Sequence, residues 1–316
     1  MVKGHYGTDE ICYLCRSRDF AILSEKGRGK ILLLNKVCKK CGLAQRSPRP
    51  THEEVLSYYK NGTFFYENQD RNYERIFRGQ YKNYWQIAAG LKTELAKYIS
   101  EDYLQSKSFR ILEVGSHCGA FLSACKEIFT RADISGIEPF EDIALFSQSK
   151  LGDNCNIHVA TLEDFSKKEI EPYDIIISIA VLEHVYDPFS FMNIIRRLLK
   201  PNGFIFFNVP NMHSHSTGWP FWYDWYLKEH LFHFSAPTIT RLFAQSGFLP
   251  LKIDQEKKLS VLAIKSDNIP QKALEAEDDY KVVLQSHSKF KRAHLFHQFT
   301  SPIRFTKFLL FLLLGH

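Results

Sequence analysis

Two pairs of cysteines carry the first recognisable chemistry: Cys12-x-x-Cys15 and, after twenty-two intervening residues, Cys38-x-x-Cys41, with Gly42 next. An i, i+3 spacing lets one turn present two sulfurs to one ion, so four thiolates in two such turns match a closed tetrahedral zinc ribbon. Arg16, Lys39 and Lys40 lie beside the sulfurs and offset the negative charge of a zinc tetrathiolate. Four cysteine ligands leave no open coordination position, which makes Zn2+ here structural. The competing reading is four free thiols or a redox pair.

A second signal runs Ile111-Leu112-Glu113-Val114-Gly115-Ser116-His117-Cys118-Gly119 and passes into Ala120-Phe121-Leu122. This reads as a buried strand entering a glycine turn that opens a helix, the arrangement with which a backbone approaches a nucleotide-like ligand. Glu138 ends the next strand, in Gly136-Ile137-Glu138-Pro139, where a carboxylate can accept both hydroxyls of a ribose. Thr161-Leu162-Glu163-Asp164 follows the third strand of this series.

Candidate acid–base groups come later. The stretch Asn208-Val209-Pro210-Asn211 and the segment 212–234, which holds four of the thirteen histidines, follow a further apolar strand. Within it, His230 is the candidate general base, because an imidazole titrates near neutrality, and Glu229 orients it or acts alongside. A packing reading competes: His230 and His233 then cap the next helix or line an aromatic patch. His184, beside Glu183, is a further candidate. The loose spacing of His213, His215, His230 and His233 argues against a second metal built from those four.

The elements that must position these residues follow from periodicity. Thr51 and Glu54 fit a capping box opening a helix towards Tyr59. A second helix is expected over 79–100, with Trp85, Ala88, Leu91, Leu95 and Ile99 on one face. From Phe109, strand candidates at 109–114, 133–137, 156–159, 173–179, 203–209, 248–253 and 259–265 alternate with helices at about 119–129, 141–150, 189–199 and 237–246. That alternation implies an α/β fold, a Rossmann-like parallel sheet, and the short gap 254–258 makes the last pair an antiparallel hairpin.

Composition bounds the rest. The chain has 316 residues, 45% hydrophobic and 24% charged, which excludes disordered, collagenous and multi-span membrane proteins. Residues 1–50 carry eleven Lys/Arg against four Asp/Glu and residues 289–316 carry five against none, so two basic ends flank an acidic body. Seven cysteines, an odd count, and no charged-then-apolar leader in the first twenty residues suit a reducing cytoplasm. The run Phe308–Leu314 is far shorter than the roughly 20 residues of a membrane span. The basic and apolar tail therefore packs on the body or lies peripherally on the inner membrane face.

With Tyr173–Ile179, Ala180-Val181-Leu182-Glu183-His184-Val185 and Leu199-Lys200-Pro201-Asn202-Gly203 added, the chain over roughly 109–265 resembles class I S-adenosylmethionine-dependent methyltransferases. The resemblance implies S-adenosyl-L-methionine as methyl donor. It places Glu113, Gly115, Ser116, His117 and Gly119 at the cofactor loop, Glu138 on the ribose, Leu162 and Glu163 beside the adenine, and Ala180 by the sulfonium. His117 stands where the family has its middle glycine, so the loop departs from the simplest version. The expected organisation is a zinc-ribbon module over 1–45, connector and aromatic helices over 46–105, a methyltransferase domain over 106–267 and a tail over 268–316.

The ribbon, the Pro48-Arg49-Pro50 connector and Glu229-His230 before Phe234-Ser235 are similar to sugar C-methyltransferases, whose further C-terminal domain this chain lacks. The expected acceptor is thus a sugar or glycan, nucleotide-linked or lipid-linked, methylated on oxygen or carbon. Tyr58, Tyr59, Phe64, Phe65, Tyr66, Tyr73, Tyr81 and Tyr84 crowd the connector, where one or two could line the acceptor site. Three alternatives stand beside this: an RNA methyltransferase using the basic ribbon, a small-molecule (quinone-like) O-methyltransferase with a more apolar pocket, and a non-catalytic binding protein. The acidic body argues against a nucleic-acid partner.

Overall fold

The computed structural model describes residues 11–64, 72–153, 155–214, 222–256, 258–275 and 279–300. His215, Phe65, Tyr66 and the run Phe308–Leu314 lie outside them.

The first strands among the described residues are β1 (Phe20–Lys26), β2 (Leu32–Cys38) and β3 (Ala44–Ser47). Thr51 and Glu54 form the predicted capping box, which opens α1 (His52–Lys60). The helix predicted over 79–100 runs instead as α2 (Tyr73–Leu95), started by Asn72, whose side chain accepts the amide of Arg75. Its buried stripe is Ala88, Leu91 and Leu95, with Tyr84 one turn earlier. Trp85 falls off that stripe and is 41% exposed, while Ile99 lies in the turn beyond the helix, against the same core. A short α3 (Glu101–Leu104) leads into the sheet.

Seven strands then form the main sheet: β4 (Arg110–Val114), β5 (Asp133–Glu138), β6 (Cys155–Val159), β7 (Tyr173–Ile179), β8 (Leu199–Pro210), β10 (Phe248–Asp254) and β11 (Lys258–Lys265), with the short β9 (Phe232–His233) elsewhere. The order is β10-β11-β8-β7-β4-β5-β6; β8 through β6 run parallel, and β11 is antiparallel both to β8 and to β10. Every residue of β7 is buried, as a central parallel strand covered on both faces requires. The crossovers are α4 (Ala120–Ile128), α5 (Glu141–Leu151), α6 (Leu162–Phe165) and α7 (Pro188–Leu198), with α8 (Ala236–Gln245) preceding the hairpin. The Rossmann-like α/β sheet expected from the alternation is therefore present.

The smaller sheet has the order β1-β2-β3-β9. Its fourth strand comes from far down the chain: Ala44 pairs with His233 and Gln45 with Phe232. Packing follows the same route. Tyr13 stacks on Phe189 of α7, with ring centres 5.8 Å apart, and meets Phe232 edge-on at 5.3 Å. The Arg49 guanidinium lies over the Tyr13, Tyr186 and Phe232 rings at 4.8, 5.1 and 5.6 Å.

Of the two expectations for the tail, the described part packs on the body. After α9 (Gln271–Leu274), α10 (Tyr280–Thr300) buries Val283 among Leu23, Leu33, Val37 and Tyr226. His287 Nε2 donates to the Leu23 carbonyl at 3.0 Å, and its Nδ1 accepts from the Tyr226 hydroxyl at 3.1 Å. Gly42, at φ +79°, lets the ribbon approach closely, since a Cβ there would lie 2.7 Å from Asp279. Among the described residues no helix is long and apolar enough to cross a membrane.

Candidate active site

The loop after β4 is shaped by a close approach. Gly115 has φ +76°, and a Cβ on it would sit 2.5 Å from Val181 Cγ2, so neither its conformation nor its surroundings admit a side chain. His117 adopts φ +50°, a left-handed conformation that costs a non-glycine residue roughly 1–2 kcal/mol. The backbone keeps that conformation while the His117 amide donates to Glu138 Oε2 at 3.0 Å. Glu138 Oε1 accepts the Phe140 amide at 3.0 Å. Burial pushes the Glu138 carboxyl up to about 7, against the pull of these two amides.

Glu113 is buried beside this loop, and its Oε2 has no hydrogen-bond partner; neither has Ser116 Oγ. Burial, and then the charge of Glu138, push the Glu113 carboxyl well up. A buried acceptor left unpaired costs about 1–3 kcal/mol, so these atoms are suited to a ligand that donates to them. The ammonium and ribose diol of S-adenosylmethionine meet that description. Both carboxylates face one cavity of about 410 Å3.

That cavity brings together Glu113, Gly115, Ser116, His117, Glu138, Leu162, Glu163 and Ala180, all but one of the residues expected at the cofactor. Gly119 is the exception. It starts α4 at φ +77° and packs towards Ser147 and Leu151 instead of lining the space. Thr161 caps α6 by accepting the Asp164 amide, which fixes Leu162 and Glu163 at the cavity edge.

On the opposite wall, only Tyr59 is among the residues that the sequence offers for the acceptor site. That wall is α1, whose His52, Val55, Leu56 and Tyr59 fall at i, i+3, i+4 and i+7 and all line the cavity. That spacing is readable in the sequence as an inward face. Of the crowded connector aromatics, Tyr59, Phe64 and Tyr84 line the cavity; Tyr73 packs on Phe146, and Tyr81 stacks on Phe77.

A second cavity of about 240 Å3 adjoins the first, lined by Arg46, Pro50, Glu54, Val55, Tyr58, Tyr59, His184, Lys228, Glu229 and Leu231. Val55, Tyr59 and His184 belong to both walls. Glu229 lines the second cavity. His230 lines neither: it lies behind His184, with ring centres 4.8 Å apart, in the layer that continues into β9. The His184 Nδ1–H donates to the Glu229 carbonyl at 3.0 Å, which leaves the Nε2 lone pair available. Burial lowers His184 to about 4, so its imidazole is neutral. Glu183 is buried with no partner on either carboxylate oxygen and is pushed up to about 8 by desolvation.

Asn208, near the end of β8, and Asn211, just beyond it, are held by the neighbouring hairpin. Asn208 Nδ2 donates to Ser260 Oγ at 2.7 Å and Asn211 Nδ2 to the Gln255 carbonyl at 3.0 Å, so both tie β8 to the hairpin and stay out of the cavities. His233 Nε2 donates to Asn35 Oδ1 at 3.2 Å, inside the small sheet, and His213 Nε2 lies 3.2 Å from Asp279. The helix cap beyond is Ser235 with Thr238, not a histidine.

Cys12, Cys15, Cys38 and Cys41 converge with all four sulfurs within 4.8 Å of one another. Cys12 Sγ lies 3.5 Å from Cys41 Sγ, and Cys15 Sγ 3.5 Å from Cys38 Sγ. Tetrahedral zinc with bonds of about 2.3 Å sets its sulfurs roughly 3.8 Å apart, so the four thiols fit the ion.

The strand order, the glycine loop and the carboxylate at the end of β5 define a class I S-adenosylmethionine-dependent methyltransferase domain. The chain belongs to the methyltransferase-domain family, whose model matches residues 61–252. A ubiquinone biosynthesis O-methyltransferase of Vibrio vulnificus (strain YJ016) is 29% identical over 156 residues, covering 46% of this chain and 65% of the relative. One from Actinobacillus pleuropneumoniae serotype 7 (strain AP76) is 32% identical over 123 residues, 35% of this chain and 51% of the relative. The chain thus spans less than two thirds of the length of these curated relatives. The solved plantazolicin methyltransferase BpumL in complex with SAH shares the fold at TM-score 0.51 and 14% identity, over 68% of this chain and 96% of that one.

Proposed function

We propose that the protein transfers a methyl group from S-adenosylmethionine to a hydroxyl of a sugar-containing acceptor. The observation that carries this reading is the meeting of two cavities at His184 and Tyr59, one fitted to the cofactor and the other open to a second molecule. S-adenosylmethionine, when bound, supplies an electrophilic methyl group on its sulfonium. Glu113 and Ser116 would hold its amino-acid end, Glu138 its ribose, and Leu162 with Glu163 its adenine.

The second cavity supports the acceptor class. Arg46 and Lys228 give its rim a cationic character suited to a phosphate or diphosphate carrier. Glu54 and Glu229 offer acceptors for ring hydroxyls, and Tyr58 and Tyr59 offer faces on which a sugar can stack. Methyl transfer needs aligned reactants and removal of the acceptor's proton. His184 Nε2 and the Glu229 carboxylate are the proton acceptors at the junction, with His230 behind His184. The similarity of the Glu229-His230 segment and the ribbon to sugar C-methyltransferases supports the same acceptor class.

A second reading, O-methylation of a small aromatic acceptor, is favoured by the names of the curated relatives and by Tyr59, Phe64, Tyr84, Phe121 and Phe191 on the larger cavity. The two are separated with methyl-labelled S-adenosylmethionine and three kinds of acceptor: nucleotide-linked sugars, catechol-like phenols and RNA. Label in the nucleotide-sugars supports the first reading. Label only in phenols replaces it with the second, and label in RNA overturns both.

A further inference from the structure

Glu183, His184 and His230 bring one donor atom each to within 4.8 Å of one another, and all three residues are buried. We propose that these three side chains hold a first-row divalent cation at the junction of the two cavities, a site separate from the four-cysteine ribbon. The donor set, two imidazoles and one carboxylate, is that of open zinc and non-haem iron sites, which keep a coordination position for water or substrate.

Four observations lead there. Glu183 is 1% exposed and neither carboxylate oxygen has a hydrogen-bond partner. A buried carboxylate in that state is costly unless it is paired or ligates a cation. His184 Nε2 lies 3.8 Å from Glu183 Oε1, and its Nδ1–H is already engaged by the Glu229 carbonyl, the outer-sphere bond that typically orients a ligating histidine. His230 Nδ1 is likewise buried without a partner.

The third ligand is held by backbone. The amides of Leu231 and Phe232 both donate to the Glu183 carbonyl, at 2.8 and 3.2 Å, so the residue before them is carried to Glu183 and His184 whatever its side chain. Ligand bonds of about 2.0–2.2 Å require the three donors to close by roughly an ångström, within reach of side-chain rotation. Of the three, His184 lines both cavities while Glu183 and His230 lie behind it, so substrate would reach an open position on the ion past His184, from the space assigned to the acceptor. This last step rests on the acceptor reading above; binding of the ion does not. With the ion bound, the His184 lone pair is a ligand and proton acceptance falls to Glu229.

The test uses the full chain loaded with Co2+ in place of Zn2+. The ribbon gives intense thiolate-to-cobalt absorption in the near ultraviolet, whereas a nitrogen and oxygen site gives only weak visible bands. The expected result is about two equivalents of metal by elemental analysis, falling to about one in His230→Asn and in Glu183→Gln, with the thiolate band kept. A single equivalent in the unmodified chain overturns the proposal, as does a second equivalent that persists in both variants. Because the unmodified chain alone decides the count, a variant that fails to fold does not blunt the test. SAH binding, followed by calorimetry in the same samples, separates loss of the metal site from failure of the methyltransferase reading.

Discussion

The Glu183 carbonyl accepts the Leu231 amide at 2.8 Å, while the Leu231 carbonyl accepts the Arg46 amide at 2.9 Å. One residue thus links the loop after β7, which forms the cavity junction, to β3, which follows Cys41, the last of the four converging cysteines. Loss of zinc should therefore disturb the acceptor side and spare the cofactor side. Cys41→Ser is expected to lower methyl transfer by about 10²-fold, the scale of an ångström misplacement. SAH affinity should stay within about 3-fold by calorimetry. Equal loss of both would show that the ribbon supports the whole domain.

If Glu138 holds the cofactor ribose as proposed, cofactor binding should be pH-dependent. Its carboxyl is pushed up to about 7 by burial, so it is ionised above that pH and protonated below it. The ionised form is the better acceptor for two ribose hydroxyls. Affinity for SAH should consequently fall about 10-fold between pH 8 and pH 6, one pKa unit being a factor of ten. Glu138→Gln should bind about 10–100-fold more weakly and lose this slope. A slope retained in that variant assigns it to another group.

Gly115→Ala combines a left-handed backbone with a contact to Val181 Cγ2. We expect about 2 kcal/mol or more of destabilisation in denaturant titrations. Adding Val181→Ala should recover the steric part and leave the backbone part, so the pair is non-additive.

Tyr59 closes the junction with a buried hydroxyl that has no partner. Tyr59→Phe should leave stability unchanged or slightly higher, since an unpaired polar atom is removed. If that hydroxyl meets a ligand, KM for the acceptor should rise while SAH affinity holds. Unchanged KM would leave Tyr59 as a packing residue.

The parts of the fold that sequence foretells are those governed by local pattern. The apolar runs at 173–179 and 203–209 and the helices between them follow from burial on both faces of a parallel sheet. Gly115 and Glu138 follow from what a strand-to-helix turn demands. The two-residue β9 leaves no periodicity to read, because its strand character comes wholly from pairing with Ala44 and Gln45. For the same reason the sequence puts His230 ahead of His184 with no sign of which of them faces a cavity. Which imidazole reaches the cavity depends on how β9 docks, and β9 places His230 behind. Tyr84, not Trp85, meets the core, since one residue's step along a helix turns a side chain by about 100°, enough to carry it from core to solvent.

The shared small sheet bears on how this architecture can be inherited or rebuilt. A graft that exchanged only the cysteine-bearing segment between relatives would leave β3 facing a foreign β9 and Tyr13 facing a foreign Phe232. The transferable unit is discontinuous: the ribbon together with the stretch from Lys228 to Phe234. Chimaeras that move both pieces should fold, and those that move one should expose an unpaired strand edge, with aggregation as the visible outcome.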